Sequence, residues 1–203
     1  MCYQPRFMRS ELLLALALGY LLGSIPFGLV LTRLAGKGDV RDIGSGNIGA
    51  TNVLRTGSKP LAAATLVLDC LKATAAILLA RQLWPGTENF AAAGALIGHL
   101  YPVWLRFKGG KGVATLLGVL IPLLPMGAVI YAVVWIGLLL VLRISSVAGV
   151  IAALSAPVSA AILGEQLLFP MLLAFALLVV WKHKTNIARL RAGTEPKVGR
   201  KTE

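Results

Sequence analysis

The chain has 203 residues, of which 57% are hydrophobic and only 14% charged, and its mean hydropathy is +0.80. Soluble domains carry about 25% charged residues, so this composition excludes an ordinary soluble domain and indicates an integral membrane protein. The net charge of +12 could suit nucleic acid, but in so apolar a chain we expect it to mark cytoplasmic loops, with no nucleic-acid partner. Cys2 and Cys70 lie far apart and predict neither a disulfide framework nor a metal motif.

Seven apolar stretches are candidates to cross a bilayer, which takes about 20 residues. They are Glu11–Thr32, Pro60–Ala80, Phe90–Leu105, Val113–Leu123, Met126–Leu142, Val147–Leu163 and Gln166–Trp181. The fourth is the weakest, because Pro122 and Pro125 confine it; it is either a short tilted helix or part of a kinked one with the fifth. We predict an all-α, polytopic membrane protein with one domain over 1–203, an N-terminal extension at 1–10 and a dispensable polar tail at 196–203.

The basic residues predict the orientation of these seven spans. With the N-terminus outside, 16 of the 20 Lys and Arg residues fall on the inner side and three on the outer side, while Lys72 lies within the second stretch. This asymmetry is a strong positive-inside pattern, and it favours an odd number of spans. We therefore expect the N-terminus outside and the C-terminus in the cytosol.

The loop Gly44–Gly57, with the sequence GSGNIGATNVLRTG, is the first of three polar motifs. Glycines let a backbone approach a ligand closely, and consecutive free N–H groups can form an anion-binding concavity. The side chains expected to donate hydrogen bonds to phosphate oxygens are Ser45, Asn47, Thr51 and Asn52. Arg55 can bind a phosphate through two parallel hydrogen bonds. The alternatives are a flexible linker and small residues that allow close helix packing.

The second motif precedes the fourth stretch and consists of Lys108, Gly109, Gly110, Lys111 and Gly112. Two lysine charges, together with glycine N–H groups at a helix N-terminus, are suited to binding a phosphate. The motif lacks the spacer and the Lys-Ser/Thr ending of a nucleotide P-loop, so we do not expect ATP binding. An ordinary basic turn is the alternative. His99 precedes this loop and is either a buried residue with a hydrogen-bond partner or a catalytic one.

The third motif follows the last stretch, where His183 and Asn186 are three residues apart and share one face of a continued helix. A basic run at this place is also a common orientation signal at the lipid surface. Asp69 and Lys72 have the same spacing within the second stretch. Charges at that depth are costly unless paired, so we expect a structural ion pair, with a proton relay as the alternative. Ser145–Ser146 is expected to cap the next helix, and a ligand contact is the weaker alternative.

In these segments the chain resembles the bacterial acyl-phosphate-dependent glycerol-3-phosphate acyltransferase family, membrane enzymes of the PlsY type. The matching segments are GSIPFG at 23–28, DIGSGNIGATNVLRTG at 42–57, GHLYPVWLRFKGGKGVAT at 98–115, SS at 145–146, and KHKTNIARL at 182–190 followed by Glu195. They occur in the family's order over nearly the whole chain. The combination is specific, although each segment alone would be weak.

The resemblance implies transfer of a fatty acyl group from acyl phosphate to the 1-position of glycerol 3-phosphate. The products are lysophosphatidic acid and inorganic phosphate, in the first acylation step of phospholipid synthesis. The site residues it implies are Ser45, Arg55, His183 and Asn186 for activity, Lys108–Gly112 for the glycerol-phosphate site, and Glu195 for structure. It also implies seven spans in the bacterial inner membrane, with the active site facing the cytosol.

We expect no cofactor and no metal, because no cluster of Asp, Glu and His has the spacing of metal ligands. The expected partners are the two substrates and membrane lipid, and the sequence leaves open whether a peripheral acyl-phosphate synthase docks on this chain. A transporter of small phosphate-bearing metabolites is the main alternative. It would favour repeated halves with polar residues on both sides, whereas the polar motifs here fall on one side. A non-catalytic lipid-binding or assembly protein is the third possibility.

Overall fold

The computed structural model describes residues 9–199, and every regular element in that range is helical. The helices are α1 (Arg9–Gly23), α2 (Phe27–Leu34), α3 (Ala50–Val53), α4 (Lys59–Leu83), α5 (Glu88–Leu100), α6 (Val113–Leu123), α7 (Pro125–Leu142), α8 (Ser145–Ile162), α9 (Phe169–Lys182) and α10 (Lys184–Arg191). Short 3₁₀ turns cover Val40–Asp42, Leu54–Thr56 and Val103–Leu105. The prediction of an all-α fold is confirmed. Most of the predicted N-terminal extension and the end of the predicted tail lie outside the described residues.

Four segments within residues 9–199 are long and apolar enough to cross a membrane. They are Arg9–Leu34, which contains α1 and α2, and the helices α4, α7 and α8. A fifth results if α9 and α10, which meet at a bend of 57°, form one span. Large apolar side chains such as Leu140 (75% exposed) and Val141 (79% exposed) lie on the outside of the bundle. An apolar surface of this extent is typical of a protein whose solvent is lipid.

The first predicted span, Glu11–Thr32, lies within Arg9–Leu34, but its helix is interrupted between α1 and α2. Pro26 has no N–H group, and its ring disfavours the helical backbone at the preceding Ile25. The carbonyl oxygen of Ile25 instead accepts a hydrogen bond from Lys72 Nζ at 2.8 Å. The break in the first span is therefore tied to the middle of α4.

The third predicted span, Phe90–Leu105, extends too far at its C-terminal end, since α5 ends at Leu100. Pro102 again disfavours a helical backbone at the residue before it, and Tyr101 takes φ −139° and ψ 57°. For the fourth stretch, the short-helix alternative is confirmed. α6 ends at Leu123, and the non-helical Leu124, with φ −149° and ψ 72°, separates it from α7.

α1 and α5 pack with their backbones in contact. A Cβ atom added at Gly23 would collide with the carbonyl oxygen of Ala95, and one added at Gly98 would collide with that of Tyr20. Small residues are what allow two helices in a membrane to approach this closely. The contact places the break after α1 beside the end of α5. The loop that carries the second polar motif starts from this end of α5.

This packing predicts that Gly98→Ala lowers thermal stability, although alanine is the better helix former by about 1 kcal/mol. The added methyl group must force α1 and α5 apart, and overpacking of this kind costs about 1–3 kcal/mol. Gly137→Ala is the matched control, because a Cβ atom at Gly137 on α7 meets open space. Thermal unfolding of the detergent-purified variants should show a lowered midpoint for Gly98→Ala only. Equal midpoints would mean that the contact between α1 and α5 does not limit stability.

Candidate active site

A cavity of about 720 Å³ lies where the loops after α2, α5 and α7 meet the segment after α9. All three polar motifs contribute to its wall, although they are far apart in sequence. The predicted site residues that border it are Ser45, Asn47, Thr51, Asn52, Arg55, Asp69, Lys111, Gly112, His183, Asn186 and Glu195. Apolar side chains, among them Leu66, Trp135 and Leu139, complete the wall. The cavity therefore has a polar part and an apolar part.

Asn52 organises the first motif from within. Its Nδ2 donates to the carbonyl oxygens of Val40 at 2.7 Å, Asn47 at 2.8 Å and Ile43 at 3.1 Å, and its Oδ1 accepts from the N–H group of Ser45 at 3.1 Å. The residue is only 2% exposed. The prediction that Asn52 donates to a substrate phosphate is therefore wrong, because the loop itself uses both amide protons.

Ser45 and Arg55 are the exposed polar side chains of this motif. Gly44, which directly precedes Ser45, has φ +56°, and a side chain there would collide with the Arg55 guanidinium. This glycine thus provides both a left-handed turn and the room in which Arg55 lies. Arg55 Nη1 approaches Asn52 Oδ1 at 3.5 Å, so most of its donors stay available to a ligand. The half-buried Thr51 borders the cavity beside them.

The second motif folds back against the end of α5. The N–H of Gly109 donates to the carbonyl oxygen of Leu100 at 3.2 Å, and the N–H of Gly110 to that of His99 at 3.0 Å. A Cβ atom at either glycine would collide with His99. The prediction that Gly109 and Gly110 offer free N–H groups to a phosphate is therefore wrong. These glycines are required for close packing of the loop.

The two lysines of this motif have different positions. Lys108 is exposed and does not border the cavity, so its contact with a phosphate stays a prediction. Lys111 is half-buried in the cavity wall, and its Nζ donates to Asn186 Oδ1 at 2.5 Å. The pKa of Lys111 is lowered to about 8, first by burial and then by the charges of Arg189 and Arg55, although Glu195 opposes the shift.

Glu195 connects the third motif to α8. Its Oε1 accepts from Ser146 Oγ at 2.7 Å and from Asn186 Nδ2 at 2.6 Å, and its Oε2 accepts from Arg189 Nε at 2.7 Å. Burial alone would raise the pKa of Glu195, but these three hydrogen bonds outweigh burial and the pKa is lowered. The ionised carboxylate thus fixes Asn186, which in turn accepts the hydrogen bond of Lys111.

His183 lies at the junction of α9 and α10 and is 3% exposed. Its Nδ1 is 2.7 Å from the carbonyl oxygen of Val179. A carbonyl oxygen can only accept, so Nδ1 carries the proton and Nε2 of the neutral ring is an acceptor without a partner among residues 9–199. Because His183 also borders the cavity, this lone pair is suited to accept a proton or a hydrogen bond there.

The prediction that Ser145–Ser146 caps α8 is wrong. Ser145–Ser146 makes no side-chain cap at the start of α8, because Ser146 donates to Glu195 instead. The tail after Glu195 packs against the end of α7: the N–H of Val198 donates to the carbonyl oxygen of Arg143 at 2.7 Å, and Arg143 Nη2 donates to the carbonyl oxygen of Val198 at 3.1 Å. Four tail residues, 196–199, border the cavity, so truncation there would open its wall.

Arg189 was not predicted as a site residue, and for Ser146 a ligand contact was only the weaker alternative to a helix cap. Arg189 follows Asn186 by three residues, so a strict helical spacing could have indicated that both face the same way. Ser146 carried no such signal, since a serine at a helix start is usually a cap.

The predicted pair of Asp69 and Lys72 is present and buried, with Lys72 Nζ 2.7 Å from Asp69 Oδ1. Lys72 also contacts His99 Nδ1 at 2.9 Å, so the histidine has the buried hydrogen-bond partner that one of our alternatives expected. No group of three His, Cys, Asp or Glu side chains suited to a metal ion occurs within residues 9–199.

Comparison with known proteins adds the family context of this site. The sequence model of the family described as "Glycerol-3-phosphate acyltransferase" matches residues 13–193. A glycerol-3-phosphate acyltransferase from Mesorhizobium japonicum is 57% identical over 194 residues, covering 96% of this chain and 100% of the relative. A glycerol-3-phosphate acyltransferase from Brucella anthropi is 55% identical over 198 residues, covering 98% of each chain.

Two solved structures are similar to this chain over most of its length. Both are of PlsY, described as an integral membrane glycerol 3-phosphate acyltransferase, at 37% identity. Its glycerol 3-phosphate form has a TM-score of 0.87 and covers 93% of this chain and 96% of that chain. Its lysophosphatidic acid form has a TM-score of 0.84, with 92% and 95% covered.

Proposed function

This chain belongs to the glycerol-3-phosphate acyltransferase family, and from that membership we propose that it transfers a fatty acyl group from an acyl phosphate to the 1-hydroxyl of glycerol 3-phosphate. The products are lysophosphatidic acid and inorganic phosphate. The observation that carries the proposal is one cavity whose polar wall contains Arg55, Lys111 and Arg189 and whose remaining wall is apolar. Such a cavity is suited to two phosphate-bearing anions, one of which has a fatty chain.

The main task of this site is to hold two mutually repelling anions in contact. Bringing the reactants into one oriented pair removes much of the entropic barrier, and fixed positive charge stabilises the transition state. We assign charge neutralisation to Arg55 and Lys111, and orientation of phosphate oxygens to Ser45 and Thr51. The apolar wall would hold the first part of the acyl chain, beside Leu66, and the rest of the chain would lie in lipid.

In the reaction, the oxygen of the 1-hydroxyl attacks the acyl carbon, and the bond between that carbon and the phosphate oxygen breaks. The electron pair of the broken bond leaves with the phosphate. An acyl phosphate is a mixed anhydride with a good leaving group, so no acyl-enzyme is required. The hydroxyl proton ends on the departing phosphate, and His183 Nε2 is placed to accept it on the way. Asn186, held by Glu195, positions Lys111 through the 2.5 Å hydrogen bond.

We also propose that the chain crosses the bacterial inner membrane seven times and that the cavity faces the cytosol. The support is that the loops after α2, α5 and α7 and the segment after α9 border one cavity, which requires an even number of crossings between any two of them. Three helices, α5, α6 and α9, are shorter than a typical span, so they would be tilted or partly buried. Labelling of single cysteines introduced at Ser45 and Lys111 in sealed vesicles tests the orientation. Labelling of the two positions from opposite sides would contradict it.

The reaction itself is tested with purified protein in detergent, palmitoyl phosphate and glycerol 3-phosphate. We expect release of inorganic phosphate together with one equivalent of lysophosphatidic acid. A parallel reaction with palmitoyl coenzyme A as the donor should give neither product above background. Product from coenzyme A alone would overturn the proposed donor, and no product from either donor would overturn the proposed activity.

Lys111 predicts a pH dependence of substrate use. With a pKa of about 8, Lys111 is charged below that pH and neutral above it, while the phosphate of the substrate remains a dianion. We therefore expect kcat/KM for glycerol 3-phosphate to fall as the pH rises above about 8, by up to tenfold per pH unit. In Lys111→Arg the guanidinium stays charged, so the fall should disappear between pH 7.5 and 9.5 even if the overall rate is lower. The same pH profile in both proteins would exclude Lys111 as its source.

A further inference from the structure

The mechanism proposed above does not use the cluster of Asp69, Lys72 and His99. Asp69 lies ten residues into α4, which corresponds to roughly 15 Å from the first polar motif along the helix axis. The side chains of Asp69 and His99 are each 4% exposed, and both border the cavity. A buried carboxylate and a buried imidazole therefore border the same cavity as the side chains that we assign to phosphate binding.

The ammonium group of Lys72 is fully used by its neighbours. It donates to the carbonyl oxygen of Ile25 at 2.8 Å, to Asp69 Oδ1 at 2.7 Å and to His99 Nδ1 at 2.9 Å. An ammonium has three donors, so none remains. Because His99 Nδ1 accepts from Lys72, the proton of the neutral ring is on Nε2. Lys72 thereby fixes both the ionised carboxylate of Asp69 and the tautomer of His99.

Two polar atoms of the cluster make no hydrogen bond within residues 9–199: the acceptor Asp69 Oδ2 and the donor His99 Nε2–H. Among the described residues only Thr115 Oγ1 is both fully enclosed and without a partner. Neither atom is therefore fully enclosed, and the space that their side chains border is the cavity. His99 Nδ1 and Asp69 Oδ1 are 3.8 Å apart, so the two side chains are neighbours in the cavity wall.

A neighbouring acceptor and donor are complementary to an alcohol, whose hydroxyl group donates one hydrogen bond and accepts another. A phosphate is disfavoured here, because the Asp69 carboxylate would repel it. His99 Nε2 packs against Gly110, the neighbour of Lys111. The pair of Asp69 and His99 therefore lies next to the loop that carries Lys111.

We propose that Asp69 and His99 bind the 2-hydroxyl of glycerol 3-phosphate and select for substrates that carry it. This inference rests on the proposed function, in which the 1-hydroxyl must reach the acyl carbon. The 2-hydroxyl is then the remaining polar group of the glycerol backbone, and the pair provides one partner for each of its hydrogen bonds. Asp69 and His99 are specificity-determining residues in this reaction.

The experiment compares kcat/KM for glycerol 3-phosphate with kcat/KM for 3-hydroxypropyl phosphate, using palmitoyl phosphate as the donor. The second acceptor has the same phosphate and primary hydroxyl but lacks the 2-hydroxyl. For the wild-type protein we expect a preference for glycerol 3-phosphate of about 100-fold or more, because a site built for a hydroxyl rejects an analogue that leaves its buried groups unpaired.

Two substitutions of His99 separate binding from structure. In His99→Asn, the amide oxygen can take the place of Nδ1 and accept from Lys72, but nothing replaces the Nε2–H donor. In His99→Gln, the amide nitrogen can replace Nε2–H, while the contact with Lys72 is lost. We expect the preference to fall at least tenfold in His99→Asn and to stay within threefold of wild type in His99→Gln, although the second variant should unfold at a lower temperature.

Asp69→Asn provides an independent test if His99→Gln fails to fold. Asparagine keeps an acceptor for Lys72 but presents a donor where Oδ2 was, so the preference should again fall at least tenfold. A purely structural role predicts equal losses with both acceptors and an unchanged preference, and that result would overturn the inference. A wild-type protein that uses both acceptors equally would also overturn it. Absence of acyl transfer from wild type to either acceptor would instead contradict the proposed function.

Discussion

Replacement of Arg55 by alanine is expected to lower kcat about 1,000-fold while the protein still folds. Arg55 is exposed in the cavity wall, and its only hydrogen bond within residues 9–199 is the 3.5 Å contact with Asn52. Its loss should therefore cost little stability. The guanidinium stabilises negative charge that develops on the departing phosphate, and removing such a group costs about 10²–10⁵ in rate. The measurement is steady-state phosphate release with palmitoyl phosphate and glycerol 3-phosphate.

Two variants calibrate this result. Arg55→Lys keeps a positive charge but cannot make two parallel hydrogen bonds, so we expect an intermediate loss. Arg191→Ala removes an exposed arginine of α10 that does not border the cavity and should leave kcat within twofold of wild type. A normal kcat in Arg55→Ala would remove Arg55 from the mechanism. A raised KM with unchanged kcat would restrict it to substrate binding.

Asn52→Ala is expected to lower kcat/KM at least 100-fold and to destabilise the protein as well. Asn52 donates to three backbone carbonyl oxygens, including that of the fully buried Val40. Leaving buried polar groups without partners costs about 1–3 kcal/mol each. The loop that presents Ser45 would then lose its shape. Thermal unfolding and acyl-transfer kinetics on the same preparation measure both effects.

The combination of effects distinguishes two roles for Asn52. A direct phosphate ligand would, when removed, raise KM and leave the unfolding midpoint unchanged. A residue that organises the loop should lower both the midpoint and the rate. Asn47→Ala is the control, since within the described part of the chain Asn47 Oδ1 accepts only from the N–H of Gly49, at 3.2 Å. We expect that variant to lose less than 1 kcal/mol of stability.

Sequence reasoning located the three polar motifs but assigned several individual residues wrongly. Glycine and asparagine in a polar loop have the same appearance whether they contact a ligand or the loop itself. Gly109, Gly110 and Asn52 were therefore expected to bind phosphate, whereas their N–H groups donate to backbone carbonyls. The distinction depends on which carbonyl oxygens the folded chain brings near, and no local pattern reports that.

Proline residues mark the two breaks in the helices, but the hydropathy of the surrounding stretches does not change at these positions. Pro26 and Pro102 interrupt apolar stretches that are otherwise continuous, so length and hydrophobicity alone favoured longer spans. No sequence pattern indicated which side chain would contact the backbone at the break near Pro26. The carbonyl oxygen of Ile25 lies at this break and accepts a hydrogen bond from Lys72 Nζ, 47 residues along the chain.

By itself, the amino-acid sequence determined that this protein is helical and membrane-embedded and that three cationic polar motifs, two of them rich in glycine, border the apolar stretches. Hydrophobicity and charge along the chain are local quantities, so they can be read without coordinates. Only the tertiary structure decided which polar groups stay available for a ligand, since each hydrogen bond made within the protein removes a donor or an acceptor. The fold also places Lys111 in the cavity wall and Lys108 outside it. Within residues 9–199, Asp69 and His99 each keep one polar atom without a hydrogen bond because Lys72 uses the other.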